Sequence, residues 1–168
     1  MQTETHTPET RHVGKMTIRR LSDREAEIRR RFDAPRSLVF EALSKPEHVA
    51  RWWGPRGTTL TVTEMDFRPG GRWRFVVTKD GGEEYAFRGE YRDIEPPERI
   101  VQTFEFEGMP GAISVERLTL TEEDGTTTLA VRTSFDSLEA LEGMLASGME
   151  AGAAETYDRL EEHLRTLA

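Results

Sequence analysis

The sequence predicts an α+β fold: a curved, seven-stranded antiparallel sheet, with two short helices after its first strand and a long C-terminal helix across one face. Three observations predict it. Between residues 58 and 135, strand-like segments follow one another with only short turns between them, which is typical of an antiparallel meander. Two helical patterns follow the first strand-like segment. Residues 147–168 then repeat apolar side chains along one helix face.

The composition of the chain argues against several classes of function. The chain has 168 residues, which predicts one domain. Its formal charge of −8 argues against a nucleic-acid partner. It has no cysteine, which excludes disulfides, thiol catalysis and cysteine-bound metals. No apolar run approaches the ~18 residues of a membrane span, and the N-terminal residues lack the apolar core of a secretory signal. We therefore expect a cytoplasmic protein with no membrane partner.

The polar segment 1–15 contains Val13 as its one large apolar residue after the initial Met1. Such a composition predicts a disordered tail, with residues 16–168 forming a single domain.

The first strand and the two helices come next. AEIRRRF (26–32) alternates as a strand does. Pro35 suits the first turn of a helix, and apolar residues follow it at helical spacing. Ser44 and Glu47 have the spacing of a capping box around Pro46, which predicts a second short helix.

The second helix should end in the segment RWWGPRG (51–57). Gly54 suits the left-handed position after a helix, and Pro55 prevents continuation. Trp52 and Trp53 therefore lie on the last turn. We expect at least one of the two rings to seal the short helices against the sheet, while one could border the mouth of a cavity. The sequence leaves open which ring does which.

Six further strands complete the sheet. They are predicted over 58–67, 72–77, 84–94, 99–106, 113–122 and 127–135. KDGG (79–82) is a strong hairpin signal between the second and third of them. Alternation along that hairpin predicts one face that carries Trp73, Phe75, Tyr85, Phe87 and Tyr91.

The order of elements and four phrases resemble a known family. The phrases are RRFDAPRSLVFEALSKPEHVARWWGPRG, DFRPGGRWRF, FRGEYRDIEPPERIVQTFEF and LASGMEAGAAETYDRLEEHL. They are similar, in order, to segments of the activator of heat-shock protein 90 ATPase homologue-like family. That family lies within the START-like, or SRPBCC, superfamily, which includes birch-pollen-allergen-like and polyketide-cyclase-like proteins. The resemblance implies the helix-grip fold, with a hydrophobic cavity between the sheet and the C-terminal helix.

Aromatic residues are the candidates to line such a cavity. Tyr157 on the long helix could cover it from above, and Phe104 belongs to the set if its strand has the right register. The candidate ligand-binding residues are Trp53, Trp73, Phe75, Tyr85, Phe87, Tyr91, Phe104 and Tyr157. The same side chains could instead simply fill the core, and the sequence leaves both interpretations open.

Catalytic signals are absent from the sequence. It contains no nucleophile elbow, phosphate loop, dinucleotide fingerprint or metal-binding histidine pair. His48 and His163 are expected at the surface or at its boundary. We therefore expect no catalytic residue, no metal and no cofactor, and the sequence favours a non-catalytic protein over an enzyme.

Three functions remain open. The first is binding of a hydrophobic or aromatic small molecule in the cavity. The second is a protein-interaction module that stimulates a heat-shock protein 90 type chaperone ATPase, as the resemblance implies. The third is a polyketide cyclase or aromatase-like enzyme, which would require an inward-facing polar residue with a perturbed pKa. A monomer and a homodimer are both compatible with the sequence.

Overall fold

Antiparallel pairing runs through the whole sheet, because short turns connect most successive strands. The computed structural model describes residues 10–167, and within that range the sheet has nine strands. They are β1 (Thr10–Val13), β2 (Met16–Arg20), β3 (Glu25–Phe32), β4 (Thr58–Met65), β5 (Arg72–Lys79), β6 (Glu84–Glu95), β7 (Arg99–Phe106), β8 (Ile113–Glu123) and β9 (Thr126–Ser134). Their order in space is β1-β2-β3-β9-β8-β7-β6-β5-β4.

The prediction of seven strands is wrong by two, because β1 and β2 add a hairpin at one edge. Residues 10–13 of the predicted disordered tail form β1, and residues 1–9 lie outside the described residues. Met16 and Ile18 of β2 are 0% and 2% exposed, so the hairpin is anchored in the core. β1 itself carries one apolar residue in four, and its pairing with β2 compensates for the weak local pattern.

The helices lie on one face of the sheet. Within the described residues they are α1 (Arg36–Ser44), α2 (Pro46–Trp52), α3 (Leu138–Ala146) and α4 (Met149–Leu167). Lys45 caps α2 in place of the predicted Ser44, and Pro46 takes the first helical position. Ser44 instead ends α1. None of the helices in the described range is long and apolar enough to cross a membrane.

Helix α4 is held across the sheet by both apolar and charged contacts. Leu160 and Leu164 point into the core and are 0% and 4% exposed. On one flank, Arg30 of β3 pairs with Asp158 at 3.1 Å, and its side chain is 2% exposed. On the other flank, the Arg159 guanidinium donates to the carbonyl of Gly54, just beyond α2, at 2.8 Å. These contacts fix the helix on the side of the sheet that carries the hydrophobic core.

Candidate functional site

The floor of the candidate site is the helix-facing side of the β5–β6 hairpin. Trp73 and Phe75 lie two residues apart on β5 and are 2% and 5% exposed. Tyr91 of β6 is 3% exposed on the same face. Trp73 is paired with Gly89, whose missing side chain leaves room for the indole. These three predicted residues are therefore tightly packed.

The two adjacent tryptophans have different positions. Trp52 is 4% exposed, and its indole nitrogen donates to the carbonyl of Ala42 at 2.9 Å, so this ring seals α2 against α1. Trp53 caps α2 and is half-buried. Its ring lies edge-on to Phe75 and Phe87, with centroid distances of 5.2 and 5.3 Å. Trp52 therefore has a structural role between α1 and α2, whereas Trp53 packs against the rings of the hairpin.

Five of the predicted aromatic residues are half-buried and keep accessible surface. Four of them also pack against the hydrophobic core: Trp53, Phe87, Phe104 and Tyr157. Phe104 lies 5.5 Å from Phe87 and 6.0 Å from Trp73, measured between ring centroids, which settles its register on the helix side. These rings therefore keep surface on the core-facing side of the sheet that a second molecule could contact.

Tyr85 lies at the edge of this group. Its hydroxyl donates to the carboxylate of Glu83 at 2.5 Å, and the Lys79 ammonium lies 4.9 Å from its ring centroid. Its ring contacts Phe106 at a centroid distance of 6.1 Å. The structure thus directs its hydroxyl to the tip of the hairpin.

A polar pair on the helix-facing side of the sheet was not predicted. Gln102 of β7 is paired with Glu116 of β8, and its amide donates to the carboxyl at 3.0 Å. Burial raises the pKa of Glu116. Alternation along β8 is the sequence pattern that could have indicated an inward-facing Glu116. Glu116 shares a strand face with Leu120, which belongs to the core, and with Leu118, which packs against it.

Two tyrosine hydroxyls face the same region. Tyr91 is paired with Gln102 across β6 and β7, so Tyr91, Gln102 and Glu116 form one row across the sheet. Burial raises the pKa of Tyr91 and of Tyr157, and Glu116 raises that of Tyr157 further. Among residues 10–167, neither hydroxyl has a hydrogen-bond partner. Buried tyrosines normally have one, so these hydroxyls are available to a bound molecule or to water.

The opposite face of the sheet is charged. A cleft of about 390 Å³ there is lined by side chains that include Glu64, Arg88 and Glu90. The Arg88 guanidinium donates to the carboxylate of Glu105 at 2.8 Å, and Arg74 forms two hydrogen bonds with Glu107. Because most of the charges are mutually paired, this face is a solvated ion-pair network.

Two histidines meet between α2 and α4, which the sequence did not predict. His48 Nδ1 and His163 Nε2 lie 2.9 Å apart, and both side chains are half-buried. Burial and the neighbouring His48 lower the pKa of His163. No group of three His, Asp or Glu side chains in the described part of the chain could hold a metal ion.

Comparison with known families gives one match. The family model described as "Activator of Hsp90 ATPase homolog 1-like protein" matches residues 33–165. That range contains both short helices, the aromatic hairpin, the Gln102–Glu116 pair and most of α4. A comparison with curated proteins finds no match to the chain.

Solved structures share the architecture. A protein from Rhodobacter sphaeroides is 27% identical, with a TM-score of 0.83 over 90% of this chain and 99% of its own. A protein from Mycobacterium smegmatis is 26% identical, with a TM-score of 0.77 over 92% and 96%. The AHSA1 protein from Silicibacter pomeroyi is 21% identical, with a TM-score of 0.70 over 86% and 99%, which shows the fold alone.

Proposed function

Because the chain belongs to the activator of Hsp90 ATPase homolog 1-like family, with its START-like (SRPBCC) fold, we propose that it binds a hydrophobic or aromatic small molecule between the sheet and α4. The observation that carries the proposal is the half-buried state of Trp53, Phe87, Phe104 and Tyr157. Aromatic walls with a few convergent polar groups are typical of small-molecule sites. Binding itself requires no covalent chemistry, so this function is non-catalytic.

Ring geometry supports an aromatic or flat apolar guest. The centroids of Trp53, Phe87 and Phe104 are joined by distances of 5.3 and 5.5 Å, within the range of favourable aromatic contacts. A guest ring could therefore make the same edge or offset contacts without rearranging the floor formed by Trp73 and Phe75. Trp53 comes from the end of α2 and is the wall that a small movement of the chain could displace.

A titration with a hydrocarbon probe tests this function. We expect 2-ethylnaphthalene to bind saturably, with tryptophan fluorescence as the readout, because Trp53 and Trp73 lie in the aromatic group. Phe87→Trp adds volume at the proposed site and should weaken binding. The matched control is Ile113→Trp, which adds the same ring at a position that is 45% exposed and should leave binding unchanged. Absence of saturable binding to the unmodified protein would refute the proposal.

The family description favours a second candidate, stimulation of a heat-shock protein 90 type chaperone ATPase. In this case, adding the protein to the chaperone of its own cell should raise the rate of ATP hydrolysis. Phe87→Trp separates the two functions, because it alters the proposed cavity but not the charged outer face. If the protein binds the probe but does not change the ATPase rate of the chaperone, ATPase stimulation is excluded as its function.

One observation supports the third possibility, a cyclase or aromatase-like enzyme. Such an enzyme requires an inward polar group with a perturbed pKa, and Glu116 is one. Turnover of an aromatic polyketide-like substrate that is lost in Glu116→Leu would favour it. Binding of such a substrate without any conversion would favour the non-catalytic function.

A further inference from the structure

We propose that two copies of the chain pair their β4 strands antiparallel, so that the two sheets become continuous in a homodimer. β4 is one edge of the sheet, and within the described residues it pairs only with β5. An edge strand presents unpaired backbone N–H and C=O groups to which another strand can bind. The dimer is independent of the proposed binding function.

The backbone of β4 has a row of unpaired groups along its open edge. The Asp80 N–H donates to the Gly57 carbonyl at 3.3 Å, so Gly57 turns its backbone toward β5. Residues of an antiparallel pair alternate in this respect, and hence Thr58, Leu60 and Val62 turn theirs away from β5. Their backbone groups have no hydrogen-bond partner among residues 10–167. They are therefore available to a second strand.

The segment 58–62 lacks the features by which edge strands avoid pairing. β1, the other edge, has four residues and carries Arg11 and His12. The segment 58–62 contains neither charge nor proline, and all its residues but Leu60 are β-branched. A bulge, which also disrupts an edge, begins only at Val62. The segment is thus a regular, uncharged edge of high strand propensity.

This segment fits a second copy of itself. Outward backbone groups must meet outward groups, and a two-fold axis at Leu60 pairs Leu60 with its counterpart and Thr58 with Val62. A register shifted by two residues would leave part of the row unpaired. On the solvent face, the axis at Leu60 places the exposed Thr59 opposite Thr61 of the second copy. Such β-branched pairs stabilise neighbouring strands.

Charges beyond the two ends of the segment favour the same register. Glu64 is exposed and forms no ion pair among residues 10–167. With the axis at Leu60, Glu64 of one copy comes opposite Arg56 of the other, on both sides of the dimer. The Arg56 side chain is 50% exposed beside Glu162 of its own chain, so a second carboxylate can approach it. The charges of the two copies are therefore complementary.

Sedimentation velocity over a range of concentrations measures the association. Because strand pairing alone buries a small interface, we expect a reversible dimer with a dissociation constant on the order of 10–100 µM. Amide hydrogen exchange, measured by NMR, should slow at Leu60 and Val62 as the concentration rises. The Thr61 amide faces β5 and should change little, which makes it the internal reference.

Charge variants test the strand and its register. Thr59→Lys combined with Thr61→Lys places like charges opposite each other and should abolish the dimer, although it reduces the net charge of −8. Thr59→Glu combined with Thr61→Lys places opposite charges at the same positions and should retain the dimer. Both positions are exposed, so the fold should tolerate both variants. Glu64→Arg should raise the dissociation constant about three- to tenfold.

Three outcomes would overturn the inference. The first is a protein that stays monomeric up to about 1 mM. The second is exchange protection at Leu60 and Val62 that does not depend on concentration, because another segment of the same chain would then cover the edge. The third is a dimer that both double variants retain equally, because its interface would lie elsewhere. Thr121→Lys, an exposed change on β8, is the control and should leave association unchanged.

Discussion

At the scale of single residues, adjacent side chains of the same type have different roles. Trp52 is buried and bonded to the backbone of α1, whereas its neighbour Trp53 is half-buried among the hairpin aromatics. The difference arises where α2 ends: Trp53 already has extended backbone angles, and Gly54 follows with a φ of +109°. The chain direction changes there, so the two rings point to different surroundings.

Substitution of each tryptophan should separate stability from binding. Trp52→Ala removes a well-packed ring and an indole hydrogen bond, so we expect a loss of about 3–5 kcal/mol in the free energy of unfolding. Trp53→Ala removes a half-buried ring and should lose less stability, but it should weaken binding of 2-ethylnaphthalene. Urea unfolding and fluorescence titration measure the two effects. Equal losses of stability would contradict the assignment.

Gly89 is required by close packing. A Cβ atom at this position would lie 2.0 Å from the carbonyl oxygen of Thr103 and 2.4 Å from the Trp73 indole nitrogen. Gly89→Ala should therefore lower the free energy of unfolding by about 3 kcal/mol, at the upper end for overpacking. Gly143→Ala in α3 is the control, since a Cβ there meets nothing within 4 Å, and it should gain up to about 1 kcal/mol. Thermal unfolding compares the two, and a tolerated Gly89→Ala would refute the packing described.

At the scale of elements, α4 is clamped from both sides. The β3 side contributes Arg30, which also pairs with Glu161 at 3.5 Å. The α2 side contributes the backbone carbonyls that receive Arg159 and the His48–His163 contact. Because these contacts come from both flanks, they hold α4 in one position against the hydrophobic core.

The histidine contact should make the clamp sensitive to acid. The pKa of His163 is lowered from its ordinary 6.5 by burial, then by His48 and Arg51, so the unfolded chain takes up a proton first as pH falls. Stability contributed at this site is therefore present above about pH 6.5 and is lost as pH falls toward the folded pKa. The Glu41 carboxylate lies 3.8 Å from the His48 ring on the other side of the pair.

Urea unfolding at pH 7.5 and pH 5.0 measures this loss. The unmodified protein should lose more stability between the two pH values than His163→Gln, which has no proton to gain. Arg92→Gln, an exposed change on β6, serves as a control that keeps both histidines. An equal loss in the unmodified protein and His163→Gln would contradict the lowered pKa of His163 in the folded state.

At the scale of the whole molecule, the sequence predicts most of the sheet, the two short helices, the long C-terminal helix and the aromatic hairpin face, because periodicity and turn chemistry are local signals. It does not predict β1, whose stability comes from pairing with β2 and not from its own TRHV pattern. The N-cap of α2 is Lys45 and not the predicted Ser44, because the helix begins one residue later than the capping-box pattern indicates.

The site was predictable only in part for the same reason. Rings on one face of a hairpin follow from alternation, so Trp73, Phe75 and Phe87 were placed together from the sequence. Glu116 joins them only through the register of β7 against β8, which pairs it with Gln102 across 14 residues of chain. The meeting of His48 with His163 likewise depends on how α4 crosses α2, and no local pattern encodes that crossing.

The central claim is that the space under α4 holds a small molecule. A crystal structure of the protein grown with 2-ethylnaphthalene tests it most directly. We expect the naphthalene rings to contact Phe87, Phe104 and Trp53. Ligand found instead in the charged cleft on the outer face, or a space under α4 closed by side chains at saturating probe, would contradict the claim.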